Sequence, residues 1–247
     1  MLMIAAGVAG MVVAGVVAAW WLLTPGPGQG DGFPVSVRTH EAGEATRVLA
    51  DQDTDSRPLS EYEVFERGGE ELSAEEVTFT LVEDSVVEDC AGSVTGQHVE
   101  QALADAACTQ VALGSYESSD HVAMVALFNL ADTDGARAVA AALDSSADDG
   151  FLQPMDTDSA LGTGYSEAEL TVHGHYLVAV WAQRSDSTSP EERDNLSTAL
   201  IALNKVDMAM FRRLSEHDSP EEQPAEEEPA EEQPAEEEPP EEQPAEQ

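Results

Sequence analysis

The two cysteines are the residues of this chain whose type and spacing most clearly point to chemistry. Cys90 and Cys108 are separated by 17 residues and lie at the two ends of a predicted helix, after one predicted strand and before the next. No CxxC motif or His/Cys cluster accompanies them, so the pattern favours a disulfide over a zinc or redox site. A bridge closing a loop of this size stabilises a fold by about 3 kcal/mol in the chain-entropy model. It would also place the domain outside the cytoplasm.

A histidine pair, His173-Gly174-His175, is the next candidate site. On a strand, the two imidazoles of an HxH motif lie on one face and are able to bind a metal together. Gly174 instead indicates a tight turn between two strands, and no third ligand lies nearby in sequence. We therefore expect both histidines at an exposed hairpin tip.

Three aspartates have the opening spacing of a calcium-binding loop. Asp51, Asp53 and Asp55 alternate along the chain, as the first ligands of such a loop do. The rest of the motif is missing, since Ser56 stands where glycine is needed and Tyr62 where a bidentate glutamate belongs. A cation site here remains an alternative to simple solvation of the carboxylates.

Catalytic signatures are absent from the sequence. It contains no GxSxG, SxxK, HExxH, P-loop or GxGxxG motif. We assign no catalytic residue, no metal ligand and no cofactor, and we predict that the chain is not an enzyme. An enzyme of unrecognised type remains the more distant alternative.

The elements that would position these residues follow from the apolar periodicity. A strand is predicted at 77–82, a helix at 97–107, a hairpin at 109–116 and 121–130, and a second hairpin at 165–172 and 175–183. Another helix is predicted at 134–143, behind a cap at Asp132 or Thr133 and with Val139 and Leu143 facing inward. Ser189, Pro190 and Glu192 form a capping box that predicts the start of a last helix. Its predicted buried face comprises Leu196, Leu200, Leu203, Met210, Phe211 and Leu214. The order predicts one α+β domain at 76–217, a two-layer antiparallel sheet with helices on one face.

The ends of the chain predict a membrane anchor and a disordered tail. Residues 1–23 carry no charged side chain and are long enough for one transmembrane helix, with Trp20 and Trp21 suited to the membrane interface. Residues 24–75 are interpreted as a Gly/Pro and acidic linker. Residues 218–247 repeat proline and glutamate with no large apolar group, which predicts an extended, disordered acidic tail.

The charge of the chain restricts its partners. It has 50 acidic against 10 basic residues, a formal net charge of −40, and Lys205 is its single lysine. Such a surface repels nucleic acid phosphates and anionic lipid headgroups, so we expect neither as a partner. The tail is interpreted as a solvated brush, a linker or a contact for a basic protein partner.

The anchor, the acidic Pro/Glu tail and the stretch CTQVALGSYESSDHVAMVALFNLADTDGARAVAAAL resemble uncharacterised membrane-anchored proteins of high-GC Gram-positive bacteria. The resemblance covers about residues 90–184 and implies an extracytoplasmic location, with no activity or site residues. Together these patterns predict a non-enzymatic, single-pass interaction or structural module of the cell envelope. A ligand- or cation-binding sensor domain, using the sheet face or the aspartate loop, is the alternative.

Overall fold

The computed structural model describes residues 32–145, 150–156 and 158–217. The predicted anchor and tail lie outside these residues. The strands are β1 (Ser36–Glu41), β2 (Glu71–Ala74), β3 (Val77–Val87), β4 (Gln110–Glu117), β5 (His121–Asn129), β6 (Ser166–His173) and β7 (Tyr176–Arg184). The α-helices are α1 (Gln97–Asp105), α2 (Thr133–Ser145), α3 (Ser197–Leu203) and α4 (Met208–His217). The fold is therefore of the α+β class, as the sequence predicts.

The seven strands form one curled sheet in the order β1-β6-β7-β5-β4-β3-β2. Both predicted hairpins are present, because β4 pairs with β5 and β6 pairs with β7 in antiparallel register. The two hairpins meet at the antiparallel β5–β7 pair in the middle of the sheet. Only β1, at one edge, runs parallel to its neighbour β6.

Helices cover both faces of the sheet, which corrects the prediction of two layers with helices on one face. Alternate residues of the central strands enter two separate cores. One core contains α1 and α2 with residues such as Phe128 and Trp181. The other contains α3 and α4 with residues such as Val125 and Val180. The central strands are apolar almost without alternation, and such continuous runs are typical of strands that are buried on both faces.

The sheet and its cores also include much of the stretch that was assigned to a linker. Strands β1 and β2 lie within 24–75, and Leu49, Val64 and Phe65 of this stretch are almost fully buried. A 3₁₀ helix (Glu44–Leu49) and a single π-helical turn (Tyr62–Glu66) carry these side chains. Their apolar residues are too widely spaced for a recognisable period, so the sequence does not reveal that they complete a core built by distant strands.

The last helix begins later than its capping box predicts. The Ser189 hydroxyl accepts a hydrogen bond from the Glu191 N–H, but the chain makes only a turn there. Residues 190–195 are mostly exposed, and the first helical turn forms where Leu196 enters the core. Local capping stabilises a helix by about 1 kcal/mol, so burial of an apolar face decides where it starts.

The second helix, by contrast, begins as the sequence predicts. The Asp132 carboxylate accepts a hydrogen bond from the Gly135 N–H at 2.7 Å, so that it caps α2. Val139 and Leu143 of this helix are fully buried, as expected.

Candidate interaction surface and the buried polar network

The predicted disulfide between Cys90 and Cys108 is present. Cys90 lies just after β3, and Cys108 lies between the end of α1 and the start of β4. The bridge therefore joins the two ends of the segment that carries α1 to neighbouring strands of the sheet. It fixes α1 in place and leaves no free cysteine among the described residues.

The histidine pair does lie at a hairpin turn, but the prediction that it is exposed is wrong. Gly174 has a φ of +62°, and an added Cβ would lie 1.9 Å from the Leu49 carbonyl oxygen. That carbonyl accepts hydrogen bonds from the His175 backbone N–H at 2.7 Å and from its Nδ1 at 2.9 Å. The 3₁₀ helix that ends at Leu49 thus covers the turn, and His173 and His175 are only 1% and 0% exposed.

Each histidine has a different buried environment. His173 Nε2 lies 3.0 Å from a carboxylate oxygen of Asp207, without the alignment of a hydrogen bond, and its ring meets Phe211 edge-on. His175 stacks against Tyr176 with 3.9 Å between ring centroids. Burial lowers the pKa of His175, since the charged imidazolium loses its hydration. The two side chains do not share a ligand site. His173 contacts Phe211 of α4, and His175 contacts the 3₁₀ helix that ends at Leu49.

The aspartates of the calcium-like triplet have separate partners. The Asp51 carboxylate accepts hydrogen bonds from the Thr54 N–H and hydroxyl, both at 2.8 Å, which closes a local turn. The Asp55 carboxylate instead pairs with Arg213 of α4 at 2.9 Å. Across the described ranges, no group of three or more His, Cys, Asp or Glu side chains is arranged to hold a metal ion.

Arg213 is the centre of a buried polar network that the sequence does not indicate. Its side chain is 1% exposed. Its guanidinium donates to both carboxylate oxygens of Glu63, at 2.7 and 2.5 Å, and to Asp55. It also donates to the Tyr176 hydroxyl and to two backbone carbonyls of the segment before Leu59. One side chain thereby joins α4, β7 and the chain around residues 55–63.

The pKa values in this network follow from burial and charge together. Burial alone would raise the pKa of Asp55, but the charge and hydrogen bonds of Arg213 outweigh it and hold that pKa below its ordinary value. Burial alone would lower the pKa of Arg213, but the carboxylate of Glu63, above all, raises it. Both groups are therefore charged at neutral pH, and the network holds α4, β7 and the chain around residues 55–63 together.

Outside this network, the helical segment at residues 197–217 presents an unusual outer surface. Ile201, Met208 and Phe211 are 59%, 52% and 47% exposed, although all three are large and apolar. We call these three residues the apolar stripe. A 3₁₀ turn (Asn204–Asp207) separates α3 from α4. Because a 3₁₀ turn rotates the chain further per residue than an α-helix, it shifts Phe211 out of the buried face that was predicted for it.

The apolar stripe lies in a part of the chain that is poor in acids. Residues 195–215 contain one acidic residue, Asp207, whereas the whole chain has 50 in 247. The Asp207 carboxylate faces His173 in the interior. Lys205 is exposed on the same helical segment and donates a hydrogen bond to the backbone of Ser73 on β2. The segment at 195–215 therefore exposes apolar side chains beside Lys205, and the next residue of α4, Glu216, is an exposed acid that pairs with Arg57 and Arg67.

Comparisons with known proteins identify no relative. No protein-family model, curated protein or solved structure matches this chain. Among the described residues, none of the helices combines the length and the apolar character needed to cross a bilayer. The function must therefore be argued from the site itself.

Proposed function

We propose that this chain is a non-enzymatic interaction module of the cell envelope, anchored in the membrane by residues 1–23 and folded on the extracytoplasmic side. The observation that carries the proposal is the apolar stripe. Exposed apolar surface marks many sites of protein–protein interaction, and these three large side chains are exposed along one helical segment. The surface stands out further because the remainder of the protein is acidic.

The buried polar groups support a structural role for the fold. Arg213 donates hydrogen bonds to both Glu63 and Asp55 inside the protein, and His175 bonds to a backbone carbonyl. These contacts hold segments that are distant in sequence, around residues 49–63 and 208–217, in fixed positions. The result is a stiff scaffold that displays its outer surface.

The Cys90–Cys108 bridge supports the extracytoplasmic location. Disulfides form and persist in oxidising compartments, and both cysteines are held in the body of the fold. The net charge of −40 argues against nucleic acid as a partner in any compartment.

The test uses the full chain in its native membranes. We expect it to remain in the pellet after an alkaline carbonate wash. Alkylation without reductant, followed by mass spectrometry, should find the two cysteine peptides linked. Release by carbonate would overturn the anchor, and free thiols in fresh membranes would overturn the extracytoplasmic location. Turnover of an envelope substrate that a single substitution abolishes would overturn the non-enzymatic assignment.

A further inference from the structure

We propose that a cleft at one end of the sheet binds a small organic cation, a primary ammonium ion that carries a neutral oxygen acceptor close by. This cleft, which we call the polar cleft, has a volume of about 420 Å³. Six of the residues that line it are Gln52, Asp53, Glu88, Thr109, Gln110 and Asn129. No residue of the apolar stripe lines it, so the inference does not depend on what binds to the stripe.

The walls of the polar cleft come from segments that are close only in the folded chain. Glu88 directly follows β3. Gln110 begins β4 and Asn129 ends β5, and these three strands are neighbours in the sheet. The loop at residues 52–58 completes the lining. Pockets for small ligands typically have volumes of about 300–1,000 Å³, so the cleft is large enough for a small molecule.

Hydrogen bonds fix the loop against the strand ends. The Gln52 Nε2 donates to the Thr109 hydroxyl at 2.9 Å and to the Asn129 Oδ1 at 3.0 Å. At the other end of the loop, the Leu59 N–H donates to the Gln110 Oε1 at 2.9 Å. The loop is therefore positioned before any ligand arrives, which lowers the entropy lost on binding.

The disulfide holds two further walls of the polar cleft together. Glu88 lies two residues before Cys90, and Thr109 directly follows Cys108. The bridge between the two cysteines therefore ties the end of β3 to the start of β4 beside the cleft.

The charge of the polar cleft selects a cation. Asp53, the middle residue of the calcium-like triplet, and Glu88 are exposed, and their carboxylates have no partner in the part of the chain that the structure describes. Asp55, the third acid of the lining, is already paired with Arg213. None of the described residues that line the cleft is basic. A cleft lined by one sign of charge raises the local concentration of oppositely charged ligands.

Asn129 provides a second, independent observation. It is only 5% exposed, and its Oδ1 accepts the hydrogen bond from Gln52. Its Nδ2 has no acceptor among the described residues, so this donor is left for a ligand in the cleft. An amide nitrogen only donates, and the ligand must therefore supply an oxygen acceptor. That acceptor has to be neutral, because Asp53 and Glu88 repel a carboxylate.

A metal ion suits the polar cleft less well than an ammonium ion. The amide Nδ2 of Asn129 offers no lone pair to a metal, whereas an organic ligand is able to accept its hydrogen bond. Within the described ranges, no three acidic, histidine or cysteine side chains are grouped to hold a metal. Two carboxylates and an amide donor instead match the two ends of an amine that bears a carbonyl or hydroxyl group.

Alaninamide is the probe, since its ammonium group lies next to an amide carbonyl. The full chain in detergent micelles is titrated with it below pH 7, where an α-amino group with a pKa of about 8 is charged. Saturation-transfer NMR of the probe measures its affinity, and we expect saturable binding. Isopropylamine keeps the ammonium but lacks the carbonyl, so it should bind about tenfold more weakly. Equal affinity for N-acetylalaninamide, which has no charge, would show that the proposal is wrong.

A double variant tests the two carboxylates without altering a buried residue. Asp53→Asn with Glu88→Gln should weaken alaninamide binding about tenfold, because each exposed ion pair contributes a factor of roughly two to five. The matched control is Glu70→Gln with Glu76→Gln, which removes two exposed charges outside the cleft. The control should bind alaninamide like the wild type. If both double variants lose the same affinity, net charge alone attracts the probe and the site is refuted.

Asn129→Asp tests the acceptor end of the ligand. The substitution keeps the oxygen that accepts from Gln52 and removes the Nδ2 donor. We expect the preference for alaninamide over isopropylamine to disappear, whereas a merely structural effect would change both affinities together and leave their ratio at about ten. An unchanged ratio would therefore overturn the role of Asn129. Saturable displacement of alaninamide by calcium chloride, at constant ionic strength, would make the cleft a metal site and overturn the proposal as a whole.

Discussion

Replacing Arg213 by methionine should remove the cation that holds two buried carboxylates. The side chains of Asp55 and Glu63 are 12% and 13% exposed, so that little water can replace the guanidinium. Methionine fills a similar length of the site and keeps the apolar contacts. The dominant effect is therefore electrostatic, because two negative charges remain close together in a poorly hydrated environment.

The structure sets the size of the expected loss. Removing one partner of a buried ion pair typically costs about 3–5 kcal/mol of unfolding free energy. In the variant, Glu63 keeps Arg57 at 3.1 Å and Asp55 keeps the Tyr176 hydroxyl at 2.9 Å. These remaining contacts place the loss toward the lower end, at about 3 kcal/mol. A typical domain has about 5–15 kcal/mol in total, so the variant should be strongly destabilised.

Urea-induced unfolding of the full chain in detergent, followed by circular dichroism, measures this loss. The matched control is Arg137→Met, which removes an arginine that is 48% exposed and bonded to Glu41 at 2.7 Å. An exposed pair contributes at most about 1 kcal/mol, so this control should unfold near the wild-type urea concentration. Adding Asp55→Asn to Arg213→Met should recover part of the loss, because it removes one of the unpaired charges.

The pH dependence gives a second readout of the same network. The pKa of Asp55 is depressed in the folded protein, so its pairing contributes stability above the ordinary aspartate pKa of about 3.9. That stability is lost as the pH falls through the depressed value. In Arg213→Met, burial raises the pKa of Asp55 and no guanidinium charge lowers it again, so the loss of stability below about pH 4 should be smaller.

One result would refute the reasoning. If Arg213→Met is no less stable than Arg137→Met at neutral pH, the buried network does not hold the chain around residues 55–63 against α4. The contacts of Arg213 would then contribute no more to stability than an exposed ion pair does. A normal unfolding curve in both variants is needed for the comparison, so that the two free energies refer to the same transition.

The remaining predictions concern the bridge and the hairpin turn. Replacing Cys90 and Cys108 by alanine should lower the unfolding free energy by about 3 kcal/mol in urea, and a reductant should have no further effect on that variant. Gly174→Ala should cost at least roughly 1–3 kcal/mol because of its positive φ and the adjacent carbonyl, whereas Gly43→Ala, with open space around it, should be near neutral in the same assay. The pKa of His175 is lowered by burial, so its neutral form contributes stability that is lost as the pH falls below about 6.5. His175→Asn should flatten the dependence of the urea midpoint on pH in that range; an unchanged slope would contradict this origin.

Local patterns predict the pairing partners well where neighbouring segments interact. The two hairpins, the cap of α2 at Asp132 and the Cys90–Cys108 bridge all involve residues that are close in sequence or flank one element. Their signals are turn residues, a capping side chain and a spacing. Each of these acts over a few residues, so each can be recognised without knowing the rest of the fold.

The contacts of Arg213 could not be predicted in this way. It lies about 150 residues from Glu63, and nothing in either local sequence distinguishes this pair from the many other charged residues of the chain. The burial of the histidine turn is a similar case, because it depends on Leu49, 126 residues before His175. The candidate interaction surface follows from a 3₁₀ turn that changes the exposed face of one helical segment.

The sequence by itself therefore determined the α+β class, the hairpins, the bridge and the charge of the surface, because these follow from short-range periodicity, spacing and composition. The tertiary structure alone decided which side chains are buried at the histidine turn, that helices cover both faces of the sheet, and that the apolar stripe faces outward. The reason is physical: burial and ion pairing depend on which distant segments come together. The free energy of those contacts outweighs local preferences, such as the capping box at Ser189, wherever the two disagree.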